Sequence, residues 1–417
     1  MIHQQKPTRR SRLAPTLELL PYWYSISIIL HSTHTSNYGI PSHSLLHYSS
    51  SIFSLMTSKS MATPPPLSLL TLLLLLLLPP PPAAASVYFS SSTLFPDYQK
   101  MLTNFKIFIY PPHPEDDVVP FTPPLSLFYT SLNNTAHFIT LDPEEAHLFF
   151  LPFPPQSTRS LASVIQRIRT SYPFWDRSLG ADHFYLSCRG VGHASIRNVV
   201  ELKKNAVQIS CFPTPAGDFI PHKDVSLPPP STATFAPPLA MDEVTPTPFL
   251  GYGRFDRVQS RSDLIRSLRD DPQFLIESGP SNQSLYIERI QSSKFCLFAY
   301  KEGGVELLSA ALAHGCVPVV ITDRPIQDLP LMDVIRWSEI ALFVGARVRH
   351  EELKRVLIGA SESGEYENMR RLGMAAAHHF AWNESPQPYD AFHMVIYQLW
   401  LRRHAIRYAR WGGAEVS

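Results

Sequence analysis

The chain reads as an α/β protein with two Rossmann-like domains facing across a cleft. Three observations predict this. Ser292–Asp323 (SSKFCLFAYKEGGVELLSAALAHGCVPVVITD) runs strand, glycine-containing loop, helix, strand. Upstream of it, short apolar runs alternate with helically spaced segments, as in parallel sheets with crossover helices. Between the two alternating regions lies Gly217–Thr247, a Pro-rich irregular stretch that reads as the crossing between domains.

The elements follow in order. Phe105–Tyr110 is a first parallel strand. Asp142-Pro143-Glu144-Glu145 has the composition of a helix start: Asp as cap, Pro at the first position, acids in the first turn. His147–Phe153 is a buried strand, Arg159–Thr170 an amphipathic helix, and Asp182–Cys188 another strand. Ser195–Lys204 is helical and Ala206–Ser210 extended. Beyond the crossing, strands Phe249–Tyr252 and Gln273–Glu277 flank a helix at Ser262–Arg269. Lys294–Phe298 is a strand, Glu302-Gly303-Gly304 a loop, and Val305–His314 a helix that Gly315 stops. Cys316–Ile321 is a β-branched run suited to a strand buried on both faces. Ala341–Val344 is a further strand. Glu365–His379 and Asp390–Arg407 are helices, and the last is expected to return to the first domain. The expected limits are 1–66 for an unstructured extension, 67–86 for a targeting segment, 87–245 and 246–385 for the two domains, and 386–417 for the final helix and tail.

A chain of 417 residues with 44% apolar content can bury two cores. Lys+Arg 36 against Asp+Glu 35 leaves a net charge of +1, which argues against a nucleic-acid partner. The four cysteines, Cys188, Cys211, Cys296 and Cys316, form no C-x-x-C pair, so a zinc site is not expected. The local pairings Cys188–Cys211 and Cys296–Cys316 are favoured, with four buried thiols as the alternative.

Leu67–Leu78 is nearly all leucine, yet shorter than the ~20 residues a spanning helix needs. Pro79–Pro82 ends it, and Ala83-Ala84-Ala85 offers a cleavage site before Ser86. Lys6, Arg9, Arg10 and Arg12 precede it, which favours a cytosolic N-terminus if the segment anchors the chain. Cleaved or anchoring, it sends the body into the secretory lumen. Asn133-Asn134-Thr135, Asn282-Gln283-Ser284 and Asn383-Glu384-Ser385 are sequons consistent with that.

Six stretches carry a resemblance. They are KIFIY (Lys106–Tyr110), DPEEAHLFFLPF (Asp142–Phe153), YPFWDRSLGADHFYLSC (Tyr172–Cys188), KDVSLPP (Lys223–Pro229), SSKFCL followed by GCVPVVITD, and LPLMDVIRW (Leu329–Trp337). In this order they resemble the exostosin family, glycosyltransferase family 47, in its plant-type form, over roughly 105–343. The resemblance implies a GT-B type arrangement and a type II Golgi protein with a lumenal body. It implies an inverting glycosyltransferase that moves a sugar from a nucleotide-sugar to a cell-wall or matrix glycan. The alternative is a weak or inactive homologue acting as a partner subunit or glycan-binding module.

Such a reaction needs a base for the acceptor hydroxyl, positive charge or N–H dipoles for the leaving diphosphate, and a carboxylate on the ribose. Asp182 and His183, at the start of a strand, are the candidates for the base or its orienting partner. Their structural alternatives are a turn cap and a satisfied core histidine. For the donor the candidates are Lys223, Arg254, Gly303, Gly304, Glu306 and Asp323. Gly303 and Gly304 open a helix whose free N–H groups suit an anion. Lys223 could instead belong to a surface ion pair, Arg254 be solvated, Glu306 favour a helix start and Asp323 cap a turn. No D-x-D triplet occurs, so neither a required metal nor a bound cofactor is expected. One departure stands out. Many family members carry Arg and, three residues on, an acid in the 305–314 helix, where this chain has Leu307 and Ala310. Glu306 or Glu302 could replace the acid at an altered reach.

Overall fold

The computed structural model describes residues 86–412 except 113–120, 153–157, 192–195, 216, 231–246, 256–262, 280–281, 301–306 and 324. The N-terminal extension and Leu67–Leu78 therefore lie outside the described residues. Both sheets belong to one compact unit, Ala83–Ser417.

The first sheet has six strands: β1 Ile107–Ile109, β2 Ile139–Thr140, β3 Leu148–Leu151, β4 His183–Leu186, β5 Val207–Cys211 and β6 Val225–Leu227. Their order is β2-β1-β3-β4-β5-β6, with every pairing parallel. β3 and β4 are buried at every residue, which is why they read as unbroken apolar runs. One face, through Phe150, Phe184 and Leu186, packs on helices α1 (Ser91–Asn104) and α2 (Leu125–Asn134). The other, through Phe149, Leu151 and Tyr185, packs on α3 (Thr158–Ser171), α4 (Phe174–Ser178) and α5 (Arg197–Asn205).

The second sheet has five strands: β7 Phe249–Arg254, β8 Phe274–Glu277, β9 Ser293–Ala299, β10 Val317–Ile321 and β11 Leu342–Val344. It is also parallel, in the order β11-β10-β9-β7-β8. Helices α6 (Asp263–Asp270) and α9 (His350–Glu362) cover one face, with Phe295, Leu297 and Val319 beneath them. On the other face lie α7 (Gln283–Gln291) and α8 (Leu307–Ala313), with α10 (Glu365–Ala376) packed beyond α8. Counted from its first strand, each sheet runs two-one-three-four-five. In each the strand order reverses between the first and third strands, β1 and β3 or β7 and β9. Open α/β sheets bind ligands outside the carboxyl ends of the strands at that point.

The last helix, α11 (Ala391–Gly412), is capped by Asp390, whose Oδ1 accepts the His393 N–H at 3.0 Å. It returns to the first sheet as expected. Phe392 packs on Phe128, Trp400 on Phe105, and the Arg402 guanidinium donates to the carbonyls of Lys223 and Asp224, both at 2.6 Å. Disulfides join Cys188 to Cys211 at the carboxyl end of the first sheet and Cys296 to Cys316 within the second.

Two expectations about elements are corrected. Asp142–Glu145 forms a single turn, not a helix. Asp142 Oδ1 accepts the Glu144 N–H at 2.9 Å, but β3 begins at Leu148 and leaves no length for further turns. The stretch read as an irregular crossing contains β6, which extends the first sheet through Ile209↔Val225 and Cys211↔Leu227. Three residues ahead of a Pro run are too short to show a period in sequence.

Candidate functional site

Asp182 and His183 stand at the amino end of β4, fully buried. His183 lies on the face that carries Phe149 and Tyr185. Its Nδ1 meets Asp182 Oδ1 at 2.8 Å and its Nε2 meets the Tyr110 hydroxyl at 2.9 Å. Ser178 donates to the same Asp182 oxygen. The imidazole stacks on Phe149, with ring centroids 5.0 Å apart, and meets Trp175 edge-on at 4.8 Å. Burial, with Arg177 adding to it, holds the His183 pKa down to about 3, so the ring is neutral. A neutral imidazole that donates from Nδ1 to Asp182 and accepts at Nε2 from Tyr110 has both nitrogens satisfied. The pair is thus enclosed in the core of the first sheet, with its partners beside it.

Lys223 is also absorbed into the framework. Its ammonium donates to the carbonyl of Ala206 and pairs with Asp224, whose oxygens also accept the N–H groups of Gln208 and Ile220, each at 2.9 Å. Burial is the largest influence on the lysine and lowers its pKa. The pair fastens β6 to β5 and α11. The ion pair is part-buried, not the surface pair that the sequence offered as its alternative.

Of the other candidates, Arg254 and Asp323 are described, and both lie at the carboxyl ends of strands in the second sheet. Arg254 ends β7, and its guanidinium lies 5.1 Å from the ring centroid of Tyr286. The 301–306 loop, which contains Gly303, Gly304 and Glu306, leaves the end of β9 but lies outside the described residues. Asp323 is exposed just beyond β10. Arg254 thus stands at the end of the first strand of the β7–β9 switch point.

Sequence reasoning missed two residues here. Glu277 ends β8, in register with Arg254. It accepts a hydrogen bond from the Tyr252 hydroxyl at 2.8 Å and pairs with Arg289 in the last turn of α7. The alternation of β7 explains the grouping. Tyr252 and Arg254 point to the α7–α8 face. A Cβ on Gly251 or Gly253 would meet Phe274 or Phe255 on the opposite face, at 2.8 and 2.6 Å. Only glycine fits that crowded side, and the G-Y-G pattern is the trace it leaves in the sequence.

Leu307 and Ala310 face the same layer. Both are buried in an apolar cluster with Tyr252, Tyr286, Ile290 and Cys296. Leu307 and Ala310 are therefore absorbed into the apolar cluster that holds the ring of Tyr252.

One tie connects the carboxyl edges of the two sheets. Asp328, buried after β10, accepts from the backbone N–H of Thr214 at 2.7 Å and from its hydroxyl at 2.6 Å. It also accepts from the hydroxyl of Tyr300. Thr214 follows β5 and Tyr300 follows β9, so Asp328 joins the two edges. Among the described residues no cluster of His, Cys, Asp and Glu has the makings of a metal site.

Comparison with known proteins bears on what this edge does. Residues 101–357 match the exostosin GT47 domain. A probable glycosyltransferase of Arabidopsis thaliana is 28% identical, over 65% of this chain and 61% of its own length. A probable beta-1,4-xylosyltransferase of the same plant is 27% identical, over 62% of this chain and 69% of its own. The chain thus spans roughly three-fifths to seven-tenths of these relatives. Among solved structures, an O-GlcNAc transferase of Thermobaculum terrenum aligns over 75% of this chain and 69% of its own, with 12% identity and a TM-score of 0.36.

Proposed function

Since the chain belongs to the exostosin GT47 domain family, we propose that it transfers a sugar, with inversion, from a nucleotide-sugar to a cell-wall or matrix glycan. The observation that carries this reading is the carboxyl edge of the second sheet. Two arginines and a carboxylate gather there beside the switch point, where parallel sheets bind nucleotides. Arg254 and Arg289 supply the positive charge that a leaving diphosphate requires, so the reaction needs no metal ion or other cofactor. The base acts from the cleft, not from Asp182 or His183, and Asp323 is the exposed carboxylate to test for it.

The body works in the Golgi lumen, with the N-terminal segment as a type II anchor or a cleaved signal. Two disulfides suit an oxidising compartment, and Leu67–Leu78 followed by three alanines suits entry to it. Among the described residues no helix is long and apolar enough to cross a membrane, which leaves anchoring to the segment before Ser86.

The test is nucleoside diphosphate release by the purified full-length protein over a panel of nucleotide-sugars, with glycan acceptors present. Acceptor-dependent release from one donor supports the reading. Absence of both binding and release across the panel overturns it.

A second reading rests on Leu307 and Ala310, which replace charge with packing. It makes the chain a weak or inactive homologue serving as a partner subunit or glycan-binding module. Co-expression with an active transferase decides it. Turnover by the single pure chain removes this reading.

A further inference from the structure

The three sequons of the sequence are not alike in the folded chain. Asn133 is exposed in the last turn of α2, followed by exposed Asn134. Asn282 is exposed at the cap of α7. Asn383 is half-buried, next to Trp382, whose indole N–H donates to the carbonyl of Pro228 at 3.0 Å.

The amide atoms separate them further. An N-linked glycan forms on Nδ2 and leaves Oδ1 untouched. In Asn282 it is Oδ1 that works. It accepts from the backbone N–H of Ser284 at 3.4 Å and from its hydroxyl at 3.3 Å, so the cap of α7 stands with a sugar on the nitrogen. Leu285, three residues on and on the same side of the helix, is 45% exposed, so that sugar would lie beside an apolar side chain left in the open. In Asn383 the roles are reversed. Nδ2 donates to Asp390 Oδ2 at 3.1 Å, and Asp390 is the buried carboxylate that caps α11. A sugar on that nitrogen would press a bulky, hydrated group against the carboxylate and the helix it caps.

Oligosaccharide is added before a chain has folded, so a folded protein keeps only the glycans that its final geometry tolerates. We propose that the folded chain carries N-linked glycans at Asn133 and Asn282 and none at Asn383. At each modified residue Nδ2 gives up a proton and bonds to the anomeric carbon of the sugar. The bond from that carbon to a lipid diphosphate breaks, and the diphosphate leaves. The inference rests on the proposed lumenal location of the body. It adds which two surfaces, the end of α2 and the start of α7, are covered by sugar.

The test expresses the full-length chain in eukaryotic cells and exposes intact microsomes to protease. The protein is then treated with an N-glycan amidase in heavy-oxygen water, which marks each released site as Asp, and its peptides are mapped by mass spectrometry. A protected body marked at Asn133 and Asn282, with an unmarked Asn383 peptide, is expected. Asn133→Asp and Asn282→Asp should each shift the protein by one glycan on a gel, and the second keeps the cap, because Asp caps a helix as well as Asn does. Asn383→Gln should run like the unaltered chain. A protected body that is bare at Asn133 or Asn282, or marked at Asn383, overturns the proposal and leaves the lumenal location standing. A body cut by protease and bare at all three sites overturns both. Should a variant fail to fold, the peptide map of the unaltered chain decides alone.

Discussion

The two sheets share the order of their first five strands, and each carries a cluster of ionisable groups, one sealed in the core and the other partly exposed. In the first sheet, Asp182 and His183 at the start of β4 form a closed network with Tyr110, just past the end of β1, with ring faces against ring faces. In the second, Arg254, Glu277 and Arg289 stand at the carboxyl ends of β7 and β8, partly exposed. A helix-covered strand interior seals its polar groups, so they must satisfy one another and become structural. At the carboxyl ends of β7 and β8, Arg254 and Glu277 are partly exposed instead. Burial, more than residue type, separates the two clusters.

The comparison breaks most readily at Asp182. Asp182→Ala leaves the donors of Ser178 and His183 unpaired in a sealed core and is expected to cost about 3 kcal/mol of unfolding free energy. Urea denaturation checks this, and a stable variant with lost turnover would return the pair to catalysis. Asp328→Ala removes the acceptor shared by Thr214 and Tyr300 and is expected to cost about 2 kcal/mol. If Asp328 also sets the spacing of the two sheet edges, KM for the donor rises even after stability is restored by lowering the temperature.

Acid sharpens the contrast. Burial holds His183 near pKa 3 and His379 near 4, so both are neutral in the folded chain. The unfolded chain titrates its histidines near 6.5 and binds more protons between these values. Stability is therefore complete above about pH 6.5 and falls as the pH drops toward 4, by up to about 1.4 kcal/mol per pH unit for each histidine. A melting temperature that stays flat from pH 7 to 4.5 would contradict this. The smallest effect belongs to the site. Glu277→Gln keeps the shape and the Tyr252 contact, and it is expected to change stability by less than about 1 kcal/mol. A large loss of stability there would place Glu277 with the framework.

The legible parts of the molecule were those written in local periodicity. The strands at His147–Phe153 and Cys316–Ile321 are continuous apolar runs because both their faces are covered, and they are found where expected. Cys188–Cys211 and Cys296–Cys316 join pairs that are near in sequence, as the local pairing predicted. β6 was hidden because its partner β5 and the helix that pins it, α11, come from distant parts of the chain. Glu277 was hidden for a related reason. In sequence it is one more acid at the end of a strand, and its partners Tyr252 and Arg289 stand 25 and 12 positions away.

Sequence by itself determined the class of the fold, the alternation of strands and helices, and the residues that tie the chain to its family. These follow from short-range pattern, which burial imposes on neighbouring residues. Only the tertiary structure decided which ionisable residues are walled in and which stand at an open edge. That depends on strand register and on which helix covers which face, and these are set by contacts between segments far apart in the chain.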